Sequence, residues 1–265
     1  MMPMNYKLRQ TIAVLAAGLA VAGPAFAADA KKPAAPVKAS SVAMRATDEA
    51  PIAPLMVMGD FNRDGIMDIA EIHPTMLGHS GPASLSISLG QANGKYKVIT
   101  STWKVGSAPR AIVIGDFNRD GVPDVIVGDE DGTLVLFLGD GAGGMKSVGT
   151  IAHLDSVVSI AVADFNHDGI LDLAVSDWHA STVTVLAGVG NGSFKKEWSF
   201  PLRMPGTSPQ LTAADFNRDG ITDLAVVYNA DDGYTYDVML GAGNGTFVAA
   251  PNLSVVKDPN AHCAP

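Results

Sequence analysis

The sequence predicts an all-β fold built as a β-propeller of four blades, on three observations. A nine-residue motif occurs four times, at Asp60–Asp68 (DFNRDGIMD), Asp116–Asp124 (DFNRDGVPD), Asp164–Asp172 (DFNHDGILD) and Asp215–Asp223 (DFNRDGITD). The copies start 56, 48 and 51 residues apart, a period that marks one supersecondary unit stacked on copies of itself. Each copy is flanked by short apolar stretches, often β-branched, of the kind that form strands buried on both faces.

Within each unit the elements follow in a fixed order. A first strand precedes the motif (Leu55 to Met58, Ala111 to Ile114, Ile160 to Ala163, Leu211 to Ala214) and a second follows it (Ile69 to Ile72, Val125 to Val127, Leu173 to Val175, Leu224 to Val227). A third comes next (Leu85 to Leu89, Thr133 to Leu138, Thr182 to Leu186, Tyr236 to Leu240). It ends in a Gly- and Asn-rich turn that leads into a more polar fourth strand, such as Tyr96 to Trp103 or Phe194 to Phe200. Glycine–asparagine turns between alternating strands are hairpin signals, and four antiparallel strands per unit make a propeller blade.

Outside the repeats the chain reads differently. Residues 1–27 resemble an export signal: Lys7 and Arg9, an apolar run from Thr11 to Gly23, and Ala25-Phe26-Ala27 as a small-residue cleavage site. Residues 28–51, rich in Ala, Pro and Lys, read as a linker, residues 52–257 as the propeller and 258–265 as a tail. The expected location is secreted, periplasmic or cell-surface, with no membrane span in the mature chain. At 47% hydrophobic and 17% charged, the whole is a globular rather than a disordered composition. Acids outnumber bases 27 to 18, and twelve of those acids sit in the four motifs, so the negative charge is local. Without a basic patch, nucleic acid is not an expected partner. Cys263 is the only cysteine, which leaves a metal as the available staple for an exported domain.

The motif carries oxygen donors at its first, third, fifth and ninth positions and glycine at its sixth, the composition of a loop that wraps a hard cation such as calcium. The donors are Asp60, Asn62, Asp64 and Asp68; Asp116, Asn118, Asp120 and Asp124; Asp164, Asn166, Asp168 and Asp172; and Asp215, Asn217, Asp219 and Asp223. The backbone carbonyls of Ile66, Val122, Ile170 and Ile221 add one donor each, so up to four calcium ions are expected. An EF-hand shares the opening pattern but closes with Glu at position twelve between helices. Here position twelve is Glu71, Val127, Val175 and Val226, and the flanks are strands. The ninth-position aspartate is therefore expected to close each site. Asx turns without metal would account for one copy, less readily for four with the ninth Asp retained.

Together with the downstream turns Leu138-Gly139, Gly190-Asn191-Gly192-Ser193-Phe194 and Gly243-Asn244-Gly245-Thr246-Phe247, these motifs resemble the FG-GAP or VCBS repeat, the unit of integrin-α-like β-propellers. The resemblance spans roughly residues 52–257. It implies calcium between the first and second strands of each blade and a role in recognition or adhesion more often than catalysis. Propellers of the integrin type have seven blades, whereas this chain supplies four. These are expected to close into a compact body, with an open arc or half of a dimeric ring as the alternatives.

Antiparallel topology puts the other connections on the face opposite the calcium loops, and loops on a rigid scaffold are where binding resides. That face is expected to present His73, Asp129, Trp178, His179 and Tyr228, with His79, Glu130, Asp131, Asp177, Asn229, Arg110 and Arg203 nearby. Two classes of function follow. One is a binding module for a carbohydrate or an extracellular protein. The other is a polysaccharide hydrolase or lyase, although no nucleophile elbow, HExxH motif or Cys/His pair is present. A structural envelope protein is a third reading.

Overall fold

The computed structural model describes residues 55–73, 82–205, 207–230 and 233–250. The export signal, the linker, His79, Cys263 and the tail lie outside the described residues. Among these residues every regular element is a strand, and the strands form four antiparallel sheets of four.

The first blade is β1 (Met56–Gly59), β2 (Asp68–His73), β3 (Ser84–Gly90) and β4 (Tyr96–Lys104); the second is β5 (Pro109–Gly115), β6 (Asp124–Asp129), β7 (Thr133–Gly139) and β8 (Met145–His153). The third is β9 (Val157–Ala163), β10 (Asp172–Asp177), β11 (Thr182–Gly188) and β12 (Phe194–Pro201); the fourth is β13 (Gln210–Ala214), β14 (Asp223–Ala230), β15 (Gly233–Gly241) and β16 (Phe247–Ala249). Strand order within each sheet follows the chain. The second strands of the middle blades, β6 and β10, are buried along their whole length, as expected for strands sandwiched between neighbouring sheets.

The motif always joins the first strand to the second, and its ninth residue is the first residue of the second strand. There it pairs with the residue just before the motif: Gly59 with Asp68, Gly115 with Asp124, Ala163 with Asp172 and Ala214 with Asp223. Each motif is thus the closed tip of a hairpin.

Blades pack in sequence through three apolar clusters. Phe61, Leu85 and Ile87 of the first blade meet Ile112, Ile114, Val125, Phe137 and Met145 of the second. Phe117, Ile126 and Leu136 of the second meet Ile160, Leu173, Val175 and Leu186 of the third. Phe165, Val185 and Phe200 of the third meet Leu211, Leu224, Val226 and Phe247 of the fourth. Among the described residues no cluster joins the first blade to the fourth, which corrects the expectation of a closed body. Four blades with three shared cores are an open arrangement. Among the described residues, its two end blades each keep one face without a neighbouring sheet.

A polar stitch accompanies each core. The hairpin glycine between the third and fourth strands donates its N–H to the carbonyl of the motif's Phe in the preceding blade: Gly143 to Phe61 at 3.1 Å, Gly192 to Phe117 at 3.0 Å and Gly245 to Phe165 at 3.0 Å. The aromatic ring on that carbonyl's residue lies buried beneath the following blade, as in the edge-on contacts of Phe117 with Phe194 and of Phe165 with Phe247.

Candidate metal loops and the opposite face

All four motifs fold the same way. The backbone turns left-handed at the fourth position (Arg63, Arg119, His167 and Arg218, φ 59° to 65°) and again at the sixth-position glycine (φ 80° to 88°). A positive φ is unfavourable for Arg and His, so it persists only where the surrounding bonds fix it. These bonds recur in each loop. The first Asp accepts the N–H groups of the fifth and sixth residues through its two oxygens, as Asp60 does from Asp64 (3.1 Å) and Gly65 (2.9 Å). The third-position Asn accepts the same fifth N–H, and the fifth Asp accepts the seventh N–H, as Asp64 does from Ile66 at 2.8 Å. The equivalents in the other loops lie between 2.8 and 3.2 Å.

The ninth aspartate has a second duty, in the hydrogen bonding of the blade itself. Asp68, Asp124, Asp172 and Asp223 are fully buried. One carboxylate oxygen of each accepts the N–H of the motif's Phe, and the other accepts the N–H of the glycine ending the third strand: Gly90, Gly139, Gly188 and Gly241. This carboxylate therefore ties loop, second strand and third strand together. The glycine is required by contact: a Cβ on Gly139 would lie 2.4 Å from the Pro123 carbonyl, and one on Gly241 would lie 2.3 Å from that of Thr222. A glycine ends every third strand, and leucine precedes it in three of the four.

The charge in these loops is not balanced from within. The basic pairs among the described residues (His73–Glu71, Arg110–Glu130, Lys195–Glu197 and Arg203–Asp237) leave the motif carboxylates out. Arg63 reaches across to the Asp120 carbonyl of the next loop at 2.7 Å rather than to a carboxylate of its own. Burial pushes the carboxyl of Asp124 up to about 7 and that of Asp172 up to about 6, against the two backbone N–H bonds that favour the ionised form; the neighbouring aspartates at the fifth and first positions add to the rise. Burial raises Asp68 as well. Among the described residues no three Asp, Glu, His or Cys side chains stand in a ligating array. The donor chemistry nevertheless fits a hard dication. Each loop supplies three carboxylates, one amide oxygen and a main-chain carbonyl, and a carboxylate oxygen that accepts one N–H keeps a further lone pair.

On the opposite face the structure sorts the expected residues into two groups. Asp129 and Tyr228 are buried and hydrogen-bonded within the fold. Asp129 is buried and accepts the N–H groups of Ala108 at 2.8 Å and Asp131 at 3.2 Å. Tyr228 is buried, its oxygen accepts the Arg203 N–H at 3.2 Å, and burial pushes its hydroxyl up to about 12. Asp177 repeats the role of Asp129, accepting from Asp155 and Ala180. These side chains fasten the second-to-third-strand turn to the chain arriving from the fourth strand, an Asx-turn use of aspartate. Its signal was recurrence at one repeat position.

Trp178 and His179 remain accessible. They sit at the tip between β10 and β11, half-buried and exposed respectively, with rings stacked at 5.1 Å and 27°. His73 lies one blade apart from the second blade's turn and contacts Ser86 Oγ at 2.7 Å and Glu71 Oε1 at 3.3 Å. The structure does not bring His73 into a group with Trp178 and His179 through any of these contacts. Glu71 pairs with His73 within β2 rather than bonding to the first loop.

The FG-GAP-like repeat family matches residues 60–127, 116–175 and 175–226. No curated protein sequence matches the chain significantly. Among solved structures, 68 chains match. One is the biofilm matrix protein Bap1 of V. cholerae, at 17% identity and TM-score 0.38, covering 76% of this chain and 39% of that one. The present chain thus spans about two fifths of that structure. No helix among the described residues is long and apolar enough to cross a membrane.

Proposed function

We propose, from the premise that this chain belongs to the FG-GAP-like repeat family, that it is an exported, calcium-stabilised β-repeat scaffold acting as a recognition or adhesion module. Its ligand would be a carbohydrate or an extracellular protein. The observation that carries the reading is the fourfold recurrence of one strained loop, with the same oxygen donors and, among the described residues, no ion pair to its carboxylates. In each loop the first, third, fifth and ninth side chains and the seventh carbonyl would hold the ion. The bound dication would offset the mutual repulsion of three carboxylates and favour the ionised form of the buried Asp124 and Asp172.

With the loops engaged in holding the fold, ligand contact falls to the opposite face. The accessible stacked pair Trp178–His179 is the feature there that suits a sugar ring or an aromatic side chain, because indole offers a large apolar face with little rotamer entropy to lose. A glycan array probed in calcium tests this reading. Binding that is lost in Trp178→Ala while the fold is kept supports it. Binding unchanged by Trp178→Ala, or turnover of a glycan, contradicts it. Calcium titration of the loops by calorimetry tests the other half, with a stoichiometry of up to four ions expected.

A further inference from the structure

The two end blades carry the two halves of the contact that joins every internal pair. Of the ten large apolar side chains exposed among the described residues, eight lie at these ends: Met56, Met58, Met67, Tyr96 and Val98 on the first blade, and Phe216, Tyr236 and Val248 on the fourth. Comparison with the equivalent positions shows why. Phe61, Phe117 and Phe165 are each at most 1% exposed because a following blade covers them, whereas Phe216 is 42% exposed. Leu85, Leu134 and Val183 face the next blade fully buried, whereas Tyr236 in the same register is 40% exposed. At the other end, Ile112, Ile160 and Leu211 pack on the preceding blade, whereas Met56 is 38% exposed.

The fit extends to shape. A hollow of about 140 Å³ on the first blade is lined by Ile66, Met67, Gly94 and Tyr96, among others. In the later blades this position receives the preceding motif: Gly143, Gly192 and Gly245 bond there to Phe carbonyls, and Met145, Phe194 and Phe247 pack in the shared cores. Gly94 and Tyr96 hold the corresponding places in the first blade. Phe216 and its carbonyl are the corresponding partners at the far end.

We infer that the Phe216–Tyr236 face of one copy docks on the Met56–Met58–Tyr96 face of a second copy, continuing the blade-to-blade contact from one molecule to the next. Such a contact is heterologous, so it closes into a ring or continues as a filament according to the rotation between copies. Methionines on the receiving face suit it, since their unbranched side chains adapt to a partner surface. The inference rests on blade packing and not on the ligand face.

Two double variants of the purified protein test it: Met56→Asp with Met58→Asp, and Phe216→Asp with Tyr236→Asp. Mass by light scattering, in calcium and across a dilution series, should show assembly of the wild type beyond monomer. Each variant alone should be monomeric, because it lacks one half of the contact. Mixed, the two should form dimers and nothing larger, because one intact half of each remains. Dimers from the mixture also exclude misfolding as the cause of the loss. A monomeric wild type overturns the inference and leaves the Phe216 face to another stretch of this chain or a different protein. Assembly that survives either variant overturns it equally.

Discussion

Asp124 shows how much one side chain does in this protein. Its carboxylate is buried, accepts two backbone N–H groups and lies near two further acids. Replacing it with Asn places an amide N–H₂ against one of those donors, leaving a buried N–H without an acceptor at a cost of about 1–3 kcal/mol. Asp120, which is exposed, should tolerate Asn within about 0.5 kcal/mol in chelator. Urea unfolding of the two variants side by side checks the contrast. The raised values of Asp124 and Asp172, about 7 and about 6 against 3.8, also fix a pH response. A carboxyl whose folded value is raised keeps more protons folded than unfolded, so stability is greatest below the unfolded value and falls as pH climbs through the folded one. In chelator, the melting temperature should therefore fall between about pH 4 and pH 7 from this contribution. In calcium the trend should flatten or reverse, since the ion binds the deprotonated carboxylate. A chelated protein whose stability rises across that window would contradict the assignment.

At the scale of the element, the motif hairpin is at once the tip of its own blade and the seat of the next. Phe117, 1% exposed and edge-on to Phe194, should cost about 3–5 kcal/mol when replaced by Ala. Phe216→Ala, at the same motif position, should stay within about 0.5 kcal/mol when copies are kept apart by dilution. Equal losses would mean that the fourth motif is covered after all. Strand positions were largely legible, because apolar runs, motif and turn recur in one order; Val125 to Val127, for instance, lies within β6 (Asp124–Asp129). The tie between Asp124 and Gly139 was not, because it joins residues 15 apart through a backbone N–H that no side-chain pattern records. The burial of Asp129 and Tyr228 was not legible for a related reason. A polar residue in a connection reads as surface, yet both are buried by bonds to the chain of the neighbouring connection.

At the scale of the molecule, the repeat encodes a blade and its contact with the next blade, and it leaves open how many blades make a circle. Closure depends on small rotations accumulated over three interfaces, which strand patterns do not record. End positions do carry a trace. Where Val127, Val175 and Val226 fill the inner cores, the first blade has Glu71, and where Val57, Val113 and Ala161 lie inside, the fourth has Thr212. Polar substitutions at the outer faces of terminal repeats are how stacked-repeat proteins stay soluble. They are partial here, since Phe216 and Tyr236 remain exposed.

On the function proposed above, the four motifs are calcium sites that hold the blades together. At free calcium about 100 times a site's dissociation constant, each filled loop would add about 2.7 kcal/mol, and several would rival the whole folding margin of about 5–15 kcal/mol. The most direct measurement is thermal unfolding of the purified protein in millimolar calcium and in excess chelator, beside a variant carrying Asp64→Ala, Asp120→Ala, Asp168→Ala and Asp219→Ala. A large calcium-dependent rise in melting temperature is expected for the wild type and none for the variant. Equal melting of the wild type with and without calcium would contradict it, and the four motifs would then be hydrogen-bonded turns alone.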